Sequence, residues 1–341
     1  MTFYQQIQNS LKQSPKKWLI TGTAGFIGSN LLETLLSLGQ SVVGLDNFST
    51  GSRQNLEDVR KETGQSNWNR FHFLEGDIAN LKTCLQACEG VDYVLHQAAL
   101  GSVPRSIENP LNSHRANVDG FINMLLACRD NRIQKLVYAS SSSVYGDDDS
   151  LLRTENIIGK PLSPYAATKY IDEIYAHVFA NTYDMKIAGL RYFNVFGRRH
   201  NPDGPYAAVI PKWIGRLLHH ETCDINGDGL TSRDFCYIDN VIQANLLAAV
   251  VSEQGEAHEV FNVACGKTTS LNQLYSQIRD ELGKTDDVIQ KMEPVYHPFR
   301  KGDIAHSQAD ISKASRFLHY SPTHFIEHGL KETIGWYQSH H

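Results

Sequence analysis

The chain has no run of about eighteen apolar residues, which excludes a membrane-spanning helix. Its first stretch, Met1 to Lys17, lacks the continuous apolar core that a signal peptide needs. Positive charge is not in surplus: the net charge is −5, so nothing favours a nucleic-acid partner. Cysteine is scarce, and Cys84, Cys88, Cys128, Cys223, Cys236 and Cys265 show neither a Cys-x-x-Cys pair nor a metal-ligand spacing. They read as small apolar side chains in a reducing, cytoplasmic compartment, with Cys84 and Cys88 sharing a helix face. No metal site is expected, and His219-His220 and His340-His341 read as surface residues. A chain of 341 residues exceeds one typical domain, so a large domain and a smaller one are expected.

What is present begins with Gly22-Thr23-Ala24-Gly25-Phe26-Ile27-Gly28. Trp18-Leu19-Ile20-Thr21 before it reads as a buried strand, and Ile27, Leu31, Leu32, Leu35 and Leu36 after it recur at helical spacing. Strand, glycine turn and helix make the opening unit of a dinucleotide-binding fold. Glycines let the backbone turn tightly and approach a pyrophosphate, whose charge meets the helix N-terminus. Farther upstream, Phe3, Ile7 and Leu11 recur four apart, which fits either a short outer helix or a frayed tail.

A second constellation lies far downstream, where Tyr165 and Lys169 stand four apart behind Ser163-Pro164. Serine suits an N-cap and proline the first helical position, so a helix is predicted to start here. Residues at i and i+4 share a face, and an ammonium beside a phenol favours phenolate, which turns tyrosine into a base. Leu136-Val137-Tyr138-Ala139 reads as a strand tipped by Ser140-Ser141-Ser142-Ser143. Further strand-like runs at 41–46, 71–74, 92–96 and 187–191 alternate with helical patterns. This alternation predicts an α/β fold with a doubly wound parallel sheet. Ligands bind beyond the carboxyl ends of such strands, where the glycines, Asp46, Asp77, Ala98-Ala99, the serines and Asn194 converge. Asp46 ends the second strand, where a carboxylate accepts hydrogen bonds from an adenosine ribose and repels a 2′-phosphate, favouring NAD over NADP. Arg53, seven residues on, points the other way.

Three long stretches make the sequence recognisable: His96 to Ser106 (HQAALGSVPRS), Arg191 to Arg199 (RYFNVFGRR) and Ser232 to Ile238 (SRDFCYI). With the motifs above, the chain resembles the extended short-chain dehydrogenase/reductase superfamily from about Lys17 to Tyr337. Within it, the likeness is to nucleotide-sugar 4-epimerases, and most of all to bacterial UDP-N-acetylglucosamine 4-epimerases of surface-polysaccharide synthesis. The resemblance implies a Rossmann NAD-binding domain over 1–194 and about 234–263. It implies a smaller α/β domain for the nucleotide sugar over 195–233 and 264–341. It also implies a homodimer formed through the Tyr165–Tyr183 segment and the helix around Val118–Ala127.

For the cofactor, the resemblance adds Phe26, Ile27, Asn47, Ser49, Gly51, Asp77, Ile78, Gln97, Ala98, Ala99 and Asn117 to the glycines and Asp46. Lys169 is expected to bridge the nicotinamide ribose and Tyr165, with Tyr192 near the nicotinamide. For the reaction, the resemblance implies that Tyr165 takes the proton of the sugar's 4-hydroxyl while carbon 4 gives up a hydride, and that Ser141 hydrogen-bonds the same oxygen. The keto sugar then turns about its diphosphate and recovers the hydride on its other face, so binding energy must rest on UDP.

Asn194 and Arg233 are expected on the diphosphate, where an amide and a guanidinium suit phosphate oxygens. Arg300 and Asp303 resemble the family's pair on phosphate and ribose. Ala208, Val209, Trp213, Ile225, Asn226 and Leu271 are expected around the uridine, although Asp224 stands where relatives often carry an aromatic. Gly101, Ser102, Ser142 and Ser143 are expected beside the hexose. Ser307 falls where epimerases restricted to unacetylated sugars tend to carry tyrosine, so room for a 2-acetamido group is expected. UDP-N-acetylglucosamine and UDP-N-acetylgalactosamine are therefore the expected pair. Uronic forms, for which Arg105 is the candidate cation, and UDP-glucose/UDP-galactose are the alternatives. A 4,6-dehydratase would need an acid/base pair where this chain has only serine hydroxyls. A redox-sensing regulator that keeps the fold without turnover is the alternative from another class.

Overall fold

The computed structural model describes residues 1–203, 207–251, 257–299 and 306–340. Its organising element is a parallel sheet of seven strands. These are β1 (Lys17–Thr21), β2 (Ser41–Asp46), β3 (Phe71–Glu75), β4 (Tyr93–His96), β5 (Lys135–Ser141), β6 (Ile187–Tyr192) and β7 (His258–Val263). Their order across the sheet is β7-β6-β5-β4-β1-β2-β3. The order reverses at β1, so the crevice beyond the ends of β1 and β4 is the switch point where such sheets bind ligands. Trp18, Leu19 and Ile20 in β1 are fully buried, as expected for a strand covered on both faces by helices.

Four helices matter most for the site. Helix α1 (Phe3–Gln13) is held by a reciprocal cap: Gln5 N donates to Thr2 Oγ1 and Thr2 N to Gln5 Oε1. That cap decides between helix and frayed tail. Helix α2 (Phe26–Ser37) buries Leu31, Leu32, Leu35 and Leu36 against the sheet. Helix α3 (Pro164–Tyr183) starts where the Ser-Pro signal predicts, with Ser163 Oγ accepting from Ala166 N at 3.1 Å. Helix α4 (Ile238–Val250) runs beneath the sheet and is buried along almost its whole length.

Beyond β6 the architecture becomes irregular. Residues 269–270, 232–233, 306–309 and 152–153 form a second, four-stranded sheet, and Asp224–Asn226 pairs with Val295–His297. Leu152–Arg153, which the sequence assigns to the first domain, thus pairs with Gln308-Ala309 of the second. Two extended residues carry no periodicity, so nothing local announces that pairing. One hydrophobic cluster runs from Trp18 and Ile20 through Phe196 and Ile238 to Trp213, Ile225 and Leu274. The two regions therefore share a core.

Candidate active site

The turn after β1 is built for close approach. Gly22 has φ +70°, and a Cβ there would stand 2.9 Å from Ala98 N. Gly25 begins α2 with no side chain capping the first turn, so the leading N–H groups of the helix face the cleft. At the end of β2, the Asp46 carboxylate accepts from Ala24 N at 2.9 Å and Phe48 N at 2.8 Å. Burial pushes its carboxyl up, and these backbone donors hold it back. Arg53 is turned to Glu75 at 2.8 Å, with its guanidinium over the Phe48 ring. Asn47 Nδ2 donates to Asp77 Oδ2 at 3.1 Å, tying the ends of β2 and β3 together.

These elements surround a cleft of about 1460 Å³. Of the residues expected at a dinucleotide, Gly22, Gly25, Phe26, Ile27, Gly28, Asp46, Asn47, Ser49, Gly51, Asp77, Ile78, Gln97, Ala98 and Ala99 all line it. A glycine cradle that a Cβ would fill, an uncapped helix N-terminus and a carboxylate at the end of β2 fit NAD.

A second pocket of about 290 Å³ opens from the same wall, sharing Phe26, Ile27, Gln97, Ala99, Gly101 and His200 with the cleft. Ser141, Tyr165, Lys169, Tyr192 and Asn194 line it. Ser141 Oγ accepts from Ser143 N at 3.1 Å and from Ser143 Oγ at 2.9 Å, so Ser143 orients it from behind. Lys169 Nζ lies 3.2 Å from Asp172 Oδ2. Tyr192 closes a ring of three hydrogen bonds. Its hydroxyl donates to Gln97 Oε1 at 3.0 Å, Gln97 Nε2 donates to Asn245 Oδ1 at 3.0 Å, and Asn245 Nδ2 donates back to Tyr192 at 2.8 Å. Burial raises the Tyr192 phenol well above its ordinary value, so it stays neutral.

Some expected residues sit elsewhere. Asn117 is buried in a π-helical turn (Arg115–Asp119) and does not line the cleft. Its amide is used on Leu100 N at 2.7 Å, Leu100 O at 3.3 Å and Thr168 Oγ1 at 3.0 Å, while Thr168 donates to Tyr165 O. From there it braces the wall beside Tyr165. Trp213 and Ile225 are core residues, and Trp213 packs edge-on against Tyr275. Ser142, Ala208, Val209, Asn226 and Leu271 are half-buried outside both cavities. Arg233 and Ser307 are partners on adjacent strands of the four-stranded sheet. Asp224 is engaged by Arg216 at 2.5 Å and His297 at 2.9 Å, which holds its carboxyl below the usual range. Ser102 and Arg105 line the rim of the larger cleft. Arg300 and Asp303 lie outside the described residues.

Several contributors had no signal in the sequence. Asn245 meets Gln97 across 148 positions. His200 stacks on Phe26 with ring centroids 4.2 Å apart between the two cavities, and burial lowers it to about 4. His324-Phe325-Ile326-Glu327-His328, at the start of the C-terminal helix, is a His-x-x-Glu-His pattern. Its two imidazoles stack at 4.4 Å, and among the described residues no group of three side chains could hold a metal.

The sequence from 18 to 264 matches the NAD dependent epimerase/dehydratase family. A UDP-glucose 4-epimerase of Mycolicibacterium smegmatis is 34% identical over 323 residues, covering 94% of this chain and 98% of that protein. The solved UDP-N-acetylglucosamine 4-epimerase of Methanobrevibacter ruminantium, in complex with UDP-N-acetylmuramic acid, is similar at 36% identity and a TM-score of 0.86. That alignment covers 96% of this chain and 99% of the other. A UDP-glucuronic acid 4-epimerase of Bacillus cereus, solved with UDP-glucuronic acid and NAD, is similar at 31% identity and a TM-score of 0.82, over 95% and 100% of the two chains.

Proposed function

The chain belongs to the NAD dependent epimerase/dehydratase family and is an NAD-dependent UDP-sugar 4-epimerase, and from that premise we propose that it interconverts UDP-N-acetylglucosamine and UDP-N-acetylgalactosamine. The observation that carries the catalytic reading is the single pocket lined together by Ser141, Tyr165 and Lys169, opening onto the dinucleotide cleft. The hydrogen on carbon 4 is not acidic enough to leave as a proton, so inversion there needs a redox detour. Bound NAD supplies the hydride acceptor and, on the return, the donor. Tyr165 takes the proton from the 4-hydroxyl, with Lys169 favouring the phenolate. Ser141, oriented by Ser143, holds the oxygen as it becomes a carbonyl. Asn194 and Arg233 anchor the diphosphate and leave the hexose free to turn over.

The acetylated pair is supported by the small Ser307 beside Arg233 and by the likeness to a UDP-N-acetylglucosamine 4-epimerase. The uronic reading has its own support, in Arg105 at the rim next to Gly101 and Ser102 and in the likeness to a glucuronic acid epimerase. The test is incubation with a panel of UDP-sugars and no added NAD, with products resolved by chromatography. The proposal expects fastest conversion of UDP-N-acetylglucosamine; faster conversion of a uronic or unacetylated sugar refutes the substrate, and cofactor binding without any turnover refutes the enzyme. Ser307→Tyr should abolish turnover of the acetylated sugar and spare UDP-glucose. The opposite pattern would overturn the pocket assignment.

A second copy of the chain is the proposed cover for α3, whose outer face exposes Ile174, Tyr175 and Val178 beside Ile107 and Leu111. Six unpaired, buried cysteines support a reducing cytoplasm as the setting, and surface-polysaccharide assembly is the proposed use of the product.

A further inference from the structure

Lys169 carries a positive charge into a nearly closed environment, and the identity of its counter-charge bears on what it can do for Tyr165. Its ammonium lies 3.2 Å from Asp172 Oδ2, and the two side chains are 3% and 1% exposed. The other ionisable groups around this stretch of α3 are already engaged. Glu173 grips Arg191 through two bonds, Nε to Oε1 at 2.9 Å and Nη2 to Oε2 at 2.8 Å, and also accepts from Ser140 Oγ. Tyr138 on β5 shares a hydrogen bond with His258 of β7 at 3.0 Å; burial keeps the phenol protonated and the imidazole neutral. His96 on β4 bonds Thr21 at 2.8 Å, and burial together with the Lys169 charge lowers it to about 3, so it too is neutral. Among the described residues, Asp172 is the carboxylate in contact with Lys169. Its second oxygen, Oδ1, has no hydrogen-bond partner there, so the ammonium is its principal compensation.

Tyr165 stands four residues before Lys169 and Asp172 three after, so the lysine is flanked by both on one side of the helix. An ammonium has three N–H donors. One of them directed at Asp172 fixes the end of the side chain and leaves two for the pocket.

We propose that Asp172 is a positioning residue for the reaction: it holds the Lys169 ammonium at the pocket and moderates the charge that Lys169 presents to Tyr165. The proposal rests on the reading of Tyr165 and Lys169 as the catalytic pair. Burial pushes the Asp172 carboxyl up against the pull of Lys169, so its ionised form depends on the ammonium beside it. With Asp172 ionised, Lys169 stabilises the phenolate less. With Asp172 neutral, it stabilises the phenolate more.

The test compares wild type, Asp172→Asn, Asp172→Ala and Tyr165→Phe. The readouts are the pH profile of kcat/KM, a calorimetric Kd for NAD, and ultraviolet difference titration of the Tyr165 phenol. An asparagine oxygen can still accept from the ammonium but carries no charge. Asp172→Asn should therefore keep the NAD Kd within about twofold and move the acid limb, and the phenol titration, down by about half to one pH unit. That shift is a gain of roughly threefold to tenfold in the phenolate fraction below the limb. Asp172→Ala, which also frees the ammonium, should raise the NAD Kd at least about fivefold through lost placement. If neither variant moves the limb or the phenol titration, Asp172 is structural only and the proposal fails. Should the alanine variant fail to fold, the asparagine variant decides alone. Wild-type turnover by Tyr165→Phe would sink the catalytic pair itself, a failure distinct from an unmoved limb with Tyr165→Phe inactive.

Discussion

Gly28→Ala tests the glycine turn most directly, because the geometry there leaves no room. A Cβ on Gly28 would stand 2.7 Å from Gly22 C and 2.9 Å from Thr23 Cα, and nearer still to Gly22 O. All three are backbone atoms, which cannot swing aside as a side-chain tip can. Helix α2 must back away from the end of β1 by roughly 1 Å, or the turn must open, and overpacking of this kind costs about 1–3 kcal/mol. The same displacement carries the uncapped N–H groups of the first helical turn away from a bound diphosphate. Losing one charge-assisted hydrogen bond of about 1.5–3 kcal/mol weakens NAD binding by roughly tenfold to a hundredfold. Calorimetric titration of NAD and thermal melts with and without it measure both effects. Gly64→Ala is the control: it has φ +74° and nothing within 4 Å of its added Cβ. With ψ 161° its backbone lies in a region open almost only to glycine, so the change should cost about 1–3 kcal/mol of strain and leave the NAD Kd unchanged. If Gly28→Ala binds NAD within twofold of wild type, the turn is not the phosphate cradle.

Other outcomes follow from the same packing. Glu173→Gln strands the buried Arg191 guanidinium and should destabilise the fold by about 3 kcal/mol or more in urea titrations; a loss under 1 kcal/mol would show that the pair is expendable. His96 and His258 are lowered to about 3 and His200 to about 4 by burial, so between pH 6.5 and 4 the unfolded chain binds protons that the folded chain refuses. Their contribution to stability is complete above pH 6.5 and falls with pH below it, by about 1.4 kcal/mol per pH unit for each histidine. His258→Gln should remove one such increment from the slope of urea stability against pH, and an unaltered slope would contradict a neutral buried imidazole. Val178→Asp puts a charge on the exposed face of α3; for the proposed second-copy contact through that face, sedimentation should show dimer in the wild type and monomer in the variant, and a monomeric wild type or an unchanged dimer would refute it.

The strands at 18–21, 41–46, 92–96, 135–138 and 187–191 were legible because buried parallel strands read as short apolar runs, and the half-buried edge strand at 71–74 because it still carries Phe71, Phe73 and Leu74. The start of α3 at Pro164 was legible because capping chemistry acts within four residues. The partners of Asn117 were illegible, because its amide, in a π-helical turn, clasps Leu100 and Thr168 across 17 and 51 positions. The strand pair 152–153 with 308–309 was illegible because two-residue ladders have no period. Asn245 looked like an ordinary polar residue on a helix until α4 packed under the sheet and brought it to Gln97 and Tyr192.

By itself, the order of residues determined the glycine turn, the alternation that makes the sheet parallel, and the Tyr165/Lys169 spacing, because each is a relation among neighbours that backbone geometry enforces locally. Only the tertiary structure decided which buried groups face one another: Asp172 against Lys169, Glu173 against Arg191, and the ring of Gln97, Tyr192 and Asn245. Two of these pairs are neighbours on α3 or reach it from β6, yet whether such charges meet in water or out of it depends on what covers them. Burial is a property of the whole packed core, and it is burial that turns a helix-face ion pair into a device able to tune a phenol.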